Sequence, residues 1–434
     1  MANMYIDEKG PQETFKISEP FVLEEKIAYG TDKIHGYIGD IWYIADENIA
    51  TFNEEYEKLE KDYLNTLQNP NIELKGQKLL KGRFEYGVSS MRGKDIKFYT
   101  KLLNLLIESE SFNLLFSVNK MSVIVDAKLL EWFYIIDEKR LYHNIFILKY
   151  VITKYMNIEA SKNVICTLFD SNQKVKDLLN EIQKDMTDII SKNKRNKRME
   201  VQVQQYKEII KLIKNSKHYT NYEPSEIKFD WKKVTYSLDL WLTEHKLNFD
   251  ERADCIKLFL DEGISSSYFQ NLGLKEIHEN CKSNELIGLR IADFLVVLAG
   301  NYIKGLSKDS QYDRNQPEKV KRLSKKWFDF NSDAFSLIKL MNTVYFTGGQ
   351  YCFVVDTYFD EEIGFEVFVE YISSYSDYSS FKKISSDQHV KKYWEMTSVY
   401  MKERWYKQLE VNKGIRDNFG SIRTVIEDGL LKPI

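Results

Sequence analysis

Cysteine is nearly missing from this chain, with four residues among 434, and proline is scarce at six. Cys166, Cys255, Cys281 and Cys352 are scattered without paired spacing, which excludes a zinc ribbon and argues against a disulfide framework. The start, MANMYIDEKG, is strand-like and charged rather than basic and then apolar, so no secretory signal is expected and the chain reads as reducing and cytoplasmic. No apolar run approaches the length of a membrane span; the longest, near Phe294–Ala299, reads as part of a core helix. A glycine-rich phosphate loop is also missing, since Gly348-Gly349 lacks the lysine and the spacing of one. There is no G-x-S-x-G nucleophile elbow. A net charge of −3 gives no global attraction to nucleic acid, so any such binding must rest on a local basic patch.

What the chain has in quantity is aromatic rings, 28 Tyr and 25 Phe, which imply a ring-rich core, although Tyr also lines grooves that stack bases. The length suits one large domain with an appendage, or two domains. Residues 4–50 read as a β-meander of Met4–Ile6, Phe21–Ile27 and Gly39–Ile44. Thr51–Asn65 reads as an amphipathic helix with Phe52, Tyr56, Leu59 and Tyr63 on one face. Further helices are expected at Lys97–Glu108 and Asn144–Met156, and strands at Met121–Val125 and Val164–Phe169, the latter a continuous apolar run of the kind found in central strands. Val175–Ile190 and Met199–Ile213 have helical periodicity and flank a basic connector, Lys192 to Arg198, so they predict an inserted helical hairpin, about 173–228, with a cationic tip. Residues 229–280 read as mostly helical and Gly305–Lys321 as a linker. Beyond it an α+β segment is expected: a helix at Phe335–Tyr345, strands at Gln350–Tyr358 and Ile363–Phe368, and helices from Val390 onward.

Carboxylates fall at the ends of several expected strands: Asp7 and Glu8, Glu73, Asp126 and Asp170. Asp293 instead lies inside an apolar helical run, Ile287 to Leu295, where lost hydration must be offset by a cation, a hydrogen-bond network or protonation. Magnesium-type ions prefer a few carboxylates plus water. Two-metal phosphodiester cleavage needs several acidic oxygens around ions roughly 3.5–4 Å apart. Any one strand-end acid is equally an ordinary turn residue, which is the simpler reading of Asp126 and Glu8. Asp293 is also compatible with a plain salt bridge to a lysine. The six histidines are dispersed; His278 is either a general acid or base or a plain surface residue.

The fragments Tyr5-Ile6-Asp7-Glu8-Lys9-Gly10, Glu73-Leu74-Lys75-Gly76 and Gly288-Leu289-Arg290-Ile291-Ala292-Asp293 are similar, in order and spacing, to the bacterial "domain of unknown function 3800" family. The resemblance covers roughly residues 4–305. It implies an α/β, ribonuclease H-like core: a mixed central sheet flanked by helices, with carboxylates at strand ends and a final helical Asp. Asp7, Glu73 and Asp293 match the family motifs residue for residue, and Asp170 takes the place of an inner-strand acid. Lys9 stands where the family has Ser, Gln77 where a Ser often follows the glycine, and Arg290 where it has Gln; Lys9 and Arg290 thus bring cations to the site, and the metal count is left open.

On this reading, residues 1–305 form the core, with the helical insertion, and 306–434 an α+β C-terminal extension. Asp7, Glu73, Asp170 and Asp293 would hold one or two Mg²⁺ or Mn²⁺ ions for cleavage of DNA or RNA. Lys9, Lys75, Lys192, Lys194, Arg195, Lys197 and Arg198 would contact its backbone. Family members are suspected in defence against phage and mobile elements. Two alternatives remain: a catalytically silent scaffold working with a partner protein through the C-terminal extension, and a hydrolase of small nucleotides.

Overall fold

The computed structural model describes residues 1–9, 37–67, 74–170, 172–222, 235, 238–239, 241–243, 253–310, 323–347, 351–354 and 360–428. In chain order the elements are β1 (Ala2–Lys9), β2 (Tyr37–Ala45), α1 (Asp46–Leu64), α2 (Gly76–Leu80), α3 (Gly93–Glu108), β3 (Phe112–Val118), α4 (Lys120–Glu138), α5 (Ile145–Ile158), α6 (Lys162–Phe169), α7 (Val175–Lys192) and α8 (Glu200–Ser216). Then follow β4 (Ile256–Asp261), β5 (Glu276–Cys281), α9 (Ile287–Ser310), α10 (Ser332–Tyr345), β6 (Tyr351–Val354), α11 (Asp360–Ser373), α12 (Tyr378–Lys382), α13 (Ser386–Phe419) and α14 (Ile422–Glu427).

The six strands form one mixed sheet in the order β5-β4-β1-β2-β3-β6. β1 to β3 are an antiparallel meander, while β4 adds in parallel to β1, β5 to β4, and β6 to β3. The period-two pattern of β1 explains its central place. Ala2, Met4 and Ile6 are fully buried on one face, and Asn3, Tyr5 and Asp7 are buried on the other, leaving neither face wet. On the Tyr5 face, α9 lies along β1 and β2. That approach depends on Gly288, where a Cβ would sit 2.4 Å from the Tyr5 ring.

The described residues fall into two units. Of the described residues, the sheet unit takes 1–9, 37–118 and those from Thr235 to Tyr400. The helical unit comprises Asn119 to Tyr222 and the residues from Met401 onward, around a core that includes Trp132, Leu148, Tyr155, Leu179 and Ile209. This division differs from the expected one: the insertion begins at Asn119 rather than near 173, and residues 306–400 belong with the sheet.

Several expected elements are present. α1 buries Phe52, Tyr56, Leu59 and Tyr63, as its periodicity requires, and α7 and α8 pack together as the expected hairpin. Others are corrected. Val164–Phe169 and Met121–Val125 are helical, as is Ile363–Phe368, because a short continuous apolar run fits a buried helix as well as a buried strand. Residues 256–261 and 276–281 are strands rather than helix. Phe21–Ile27, most of the expected linker and Glu73 lie outside the described residues.

Candidate active site

Asp7 and Asp261 are the next residues after Ile6 and Leu260, which are partners on the adjacent parallel strands β1 and β4. Both carboxyls therefore emerge side by side at the same end of the sheet. They hydrogen-bond to each other. Burial, then the charges of Asp293 and Asp261, push the Asp7 carboxyl well above the usual carboxylate range, although it accepts the Glu8 N–H at 2.6 Å. Burial also raises Asp261, opposed by the Glu262 backbone N–H, by the positive charge of Lys75 and by the hydrogen bond from Asp7. Burial thus favours the protonated form at both carboxyls of the pair.

Asp293 reaches this pair from α9. From Gly288, which sits on Tyr5, to Asp293 is five helical residues, a rise of about 7.5 Å. From Tyr5 to Asp7 is two strand residues, a rise of about 6.8 Å. The two rises nearly match, and α9 meets β1 at both places: Gly288 lies against the Tyr5 ring, and Asp293 is electrostatically coupled to Asp7. Oδ2 of Asp293 also accepts the N–H of Gly76 at 2.7 Å, tying the start of α2 to α9. Gly76 is tight as well, since a Cβ there would lie 3.0 Å from the Cβ of Val297. Lys75 is thereby held half-buried beside the site.

The remaining expected residues divide clearly. The Glu73 position and the side chain of Lys9 are outside the described residues. Asp170 follows helix α6 instead of ending a strand, belongs to the helical unit, and accepts the Asn172 N–H at 2.9 Å. Arg290 is engaged by Glu60 through two bonds of 2.9 and 3.1 Å and lies over the Tyr56 ring, so it serves the α1–α9 contact. Asp126 is paired with Lys149 at 2.7 Å in the helical core, a structural role. Lys192, Lys194, Arg195 and Lys197 are exposed at the hairpin tip, and Arg198 is half-buried. His278 is on the edge strand β5, stacked on Phe259 and bonded to Glu276 at 3.1 Å.

Asp261 does not stand out in the sequence, yet its signal is there: Ile256 to Leu260 is a strand-like apolar run closed by Asp261-Glu262-Gly263, echoing Asp7-Glu8-Lys9-Gly10. Asp40 is a second acid that sequence reasoning misses. It lies opposite Asp7 on β2, is fully buried, accepts Asn113 Nδ2 at 2.9 Å, and burial pushes its carboxyl up to about 8.

Asp7, Asp261 and Asp293 supply hard carboxylate oxygens, the donor type that Mg²⁺ or Mn²⁺ prefers, with the positive charge of Lys75 acting on Asp261. Among the described residues, no group of three or more His, Cys, Asp or Glu side chains is placed so that it could hold a metal ion. Among them, too, no helix is long and apolar enough to cross a membrane. No protein-family model, curated protein or solved structure matches the chain.

Proposed function

We propose that the chain is a metal-dependent phosphodiesterase acting on nucleic acid, with a ribonuclease H-like core. The observation that carries this reading is the hydrogen-bonded pair Asp7–Asp261 at the ends of adjacent parallel strands, coupled to Asp293 on the helix above. A mixed sheet with strand-end carboxylates and a late helical Asp is the arrangement that the resemblance to the "domain of unknown function 3800" family implies. Asp7, Asp261 and Asp293, with Glu73 as a further acid, would hold one or two Mg²⁺ or Mn²⁺ ions. Bound there, the metal supplies water activation and stabilisation of the leaving oxygen.

The chain's own groups prepare the site. The Glu8 N–H fixes Asp7, the Gly76 N–H fixes Asp293, and the charge of Lys75 favours the ionised form of Asp261. Lys75, Lys9 and the cationic hairpin tip are suited to backbone phosphates. A role in defence against phage or mobile elements rests on the resemblance alone.

One observation favours a second reading, a catalytically silent subunit. Asp293 has a structural task in capping α2, and Asp7 and Asp261 satisfy each other. Joint replacement of Asp7 and Asp293 by Asn separates the two. The enzyme reading expects Mn²⁺-dependent cleavage of a nucleic-acid panel to vanish while the circular-dichroism spectrum is retained. Full cleavage by the double variant would sink it.

A further inference from the structure

Across the face of the sheet that carries the carboxylates runs a row of rings, one from each of four adjacent strands. Trp42 on β2 stacks with Tyr5 on β1 at 5.5 Å between centroids, and Tyr5 with Phe259 on β4 at 4.9 Å. Phe259 then stacks with His278 on β5 at 4.7 Å, with ring planes only 8° apart. The row follows the register, in which Tyr5 faces Trp42 and Phe259, and Phe259 faces His278. Its inner end is closed by Phe52, packed on Trp42 at 4.7 Å. Among the described residues its outer end is open: β5 is the last strand of the sheet they form, and the His278 side chain is 43% exposed. Among the described residues, Phe259 is the one ring stacked on His278.

We propose that the outer face of the His278 imidazole is a stacking site for a nucleobase of a single-stranded nucleic acid. This rests on the phosphodiesterase reading. A base laid on His278 becomes the fifth member of a ladder whose outer two planes, Phe259 and His278, are only 8° apart, and every base has a π-face that such a platform accepts. The platform is pre-oriented, since Nε2 of His278 is held by Glu276 at 3.1 Å and the opposite ring face by Phe259. Glu276 is further offset by Lys257 at 3.9 Å, which moderates the negative charge of this edge. Position supports the assignment as well. Asp261 and Asp7 lie two residues beyond Phe259 and Tyr5 on the same face, about 7 Å along the strands. The outer side of β5 is displaced laterally from them by at least two strand spacings, about 10 Å. A base on His278 is therefore a neighbour of the nucleotide at the carboxylates, not that nucleotide itself. Bases in an intact duplex are stacked on one another and cannot take this place, so the substrate class is single-stranded or frayed.

The test is fluorescence-anisotropy binding of short oligoadenylates, one DNA and one RNA, in the Asp7→Asn background so that cleavage does not interfere. His278→Ala is expected to weaken binding roughly ten-fold or more, the usual worth of one stacked base. His278→Phe should restore it, and an oligonucleotide carrying abasic sites should bind the His278→Ala protein and its parent alike. Whichever sugar binds with this ring dependence identifies the polymer. Equal binding by the parent and His278→Ala, or failure of His278→Phe to restore it, overturns the stacking site. Because binding and cleavage are read separately, failure of the catalytic reading shows as ring-dependent affinity without Mn²⁺-dependent cleavage, and failure of the stacking site as cleavage without ring-dependent affinity.

Discussion

Asp40 is a carboxylic acid placed where water does not reach, one strand from Asp7. Burial favours its neutral form, and the hydrogen bond from Asn113 only partly opposes this, leaving the group near 8. The unfolded chain would ionise it near the ordinary value of about 3.9. Between these limits the folded state holds a proton that the unfolded state has lost, so stability falls as pH rises from about 4 to about 8 and levels off above. Asp40→Asn keeps the shape and stays neutral throughout. Urea denaturation across that range should show wild-type stability declining relative to the variant; parallel curves would mean that Asp40 does not titrate in this window. The acid is invisible in sequence because Gly39–Ile44 reads as a strand without saying which of its residues faces a covered layer. Asp7 is legible because the apolar run before it gives way at once to Glu8, Lys9 and Gly10.

At the scale of elements, the α9–β1 contact decides whether the site exists. Gly288 is required by proximity rather than by an unusual backbone angle, since any side chain there meets the Tyr5 ring. Gly288→Ala should cost about 1–3 kcal/mol through overpacking. It should also lift Asp293 away from Asp7, reducing Mn²⁺-dependent cleavage beyond what the stability loss explains. Activity retained at full level in a folded Gly288→Ala protein would show that the register is set elsewhere. The helices of this region are readable where polar and apolar residues alternate with helical period, as in α1 with Phe52, Tyr56, Leu59 and Tyr63. Elements without that contrast are not. In α6 the apolar residues Val164, Ile165, Leu168 and Phe169 are buried at helical spacing, but the intervening Cys166 and Thr167 are too mildly polar to reveal the period. Asp170 therefore reads as a strand-end acid, while the acid that ends a true strand is Asp261.

For the molecule as a whole, a net charge of −3 means that attraction to a polyanion must be local. The exposed Lys192, Lys194, Arg195 and Lys197 between α7 and α8 are such a place. If they neutralise phosphates, replacing Lys194, Arg195 and Lys197 with Ala should make single-strand binding less sensitive to salt. The logarithmic slope should fall by about 0.7 for each phosphate left without its cation. An unchanged slope would assign the tip to solvation only. The two-unit division is not legible in sequence, because the sheet unit is assembled from segments separated by the helical one, and packing between segments so distant in the chain leaves no periodic trace.

The central claim is that Asp7, Asp261 and Asp293 share one cation-binding task. It is met most directly by calorimetric titration of Mn²⁺ at pH 7 in buffers of different ionisation enthalpy. Burial raises both Asp7 and Asp261, and a bound cation favours their ionised forms, so wild type should bind Mn²⁺ with proton release, and Asp261→Asn should lose most of both. Absence of binding by the wild type, or binding that Asp261→Asn leaves unchanged, would contradict the account.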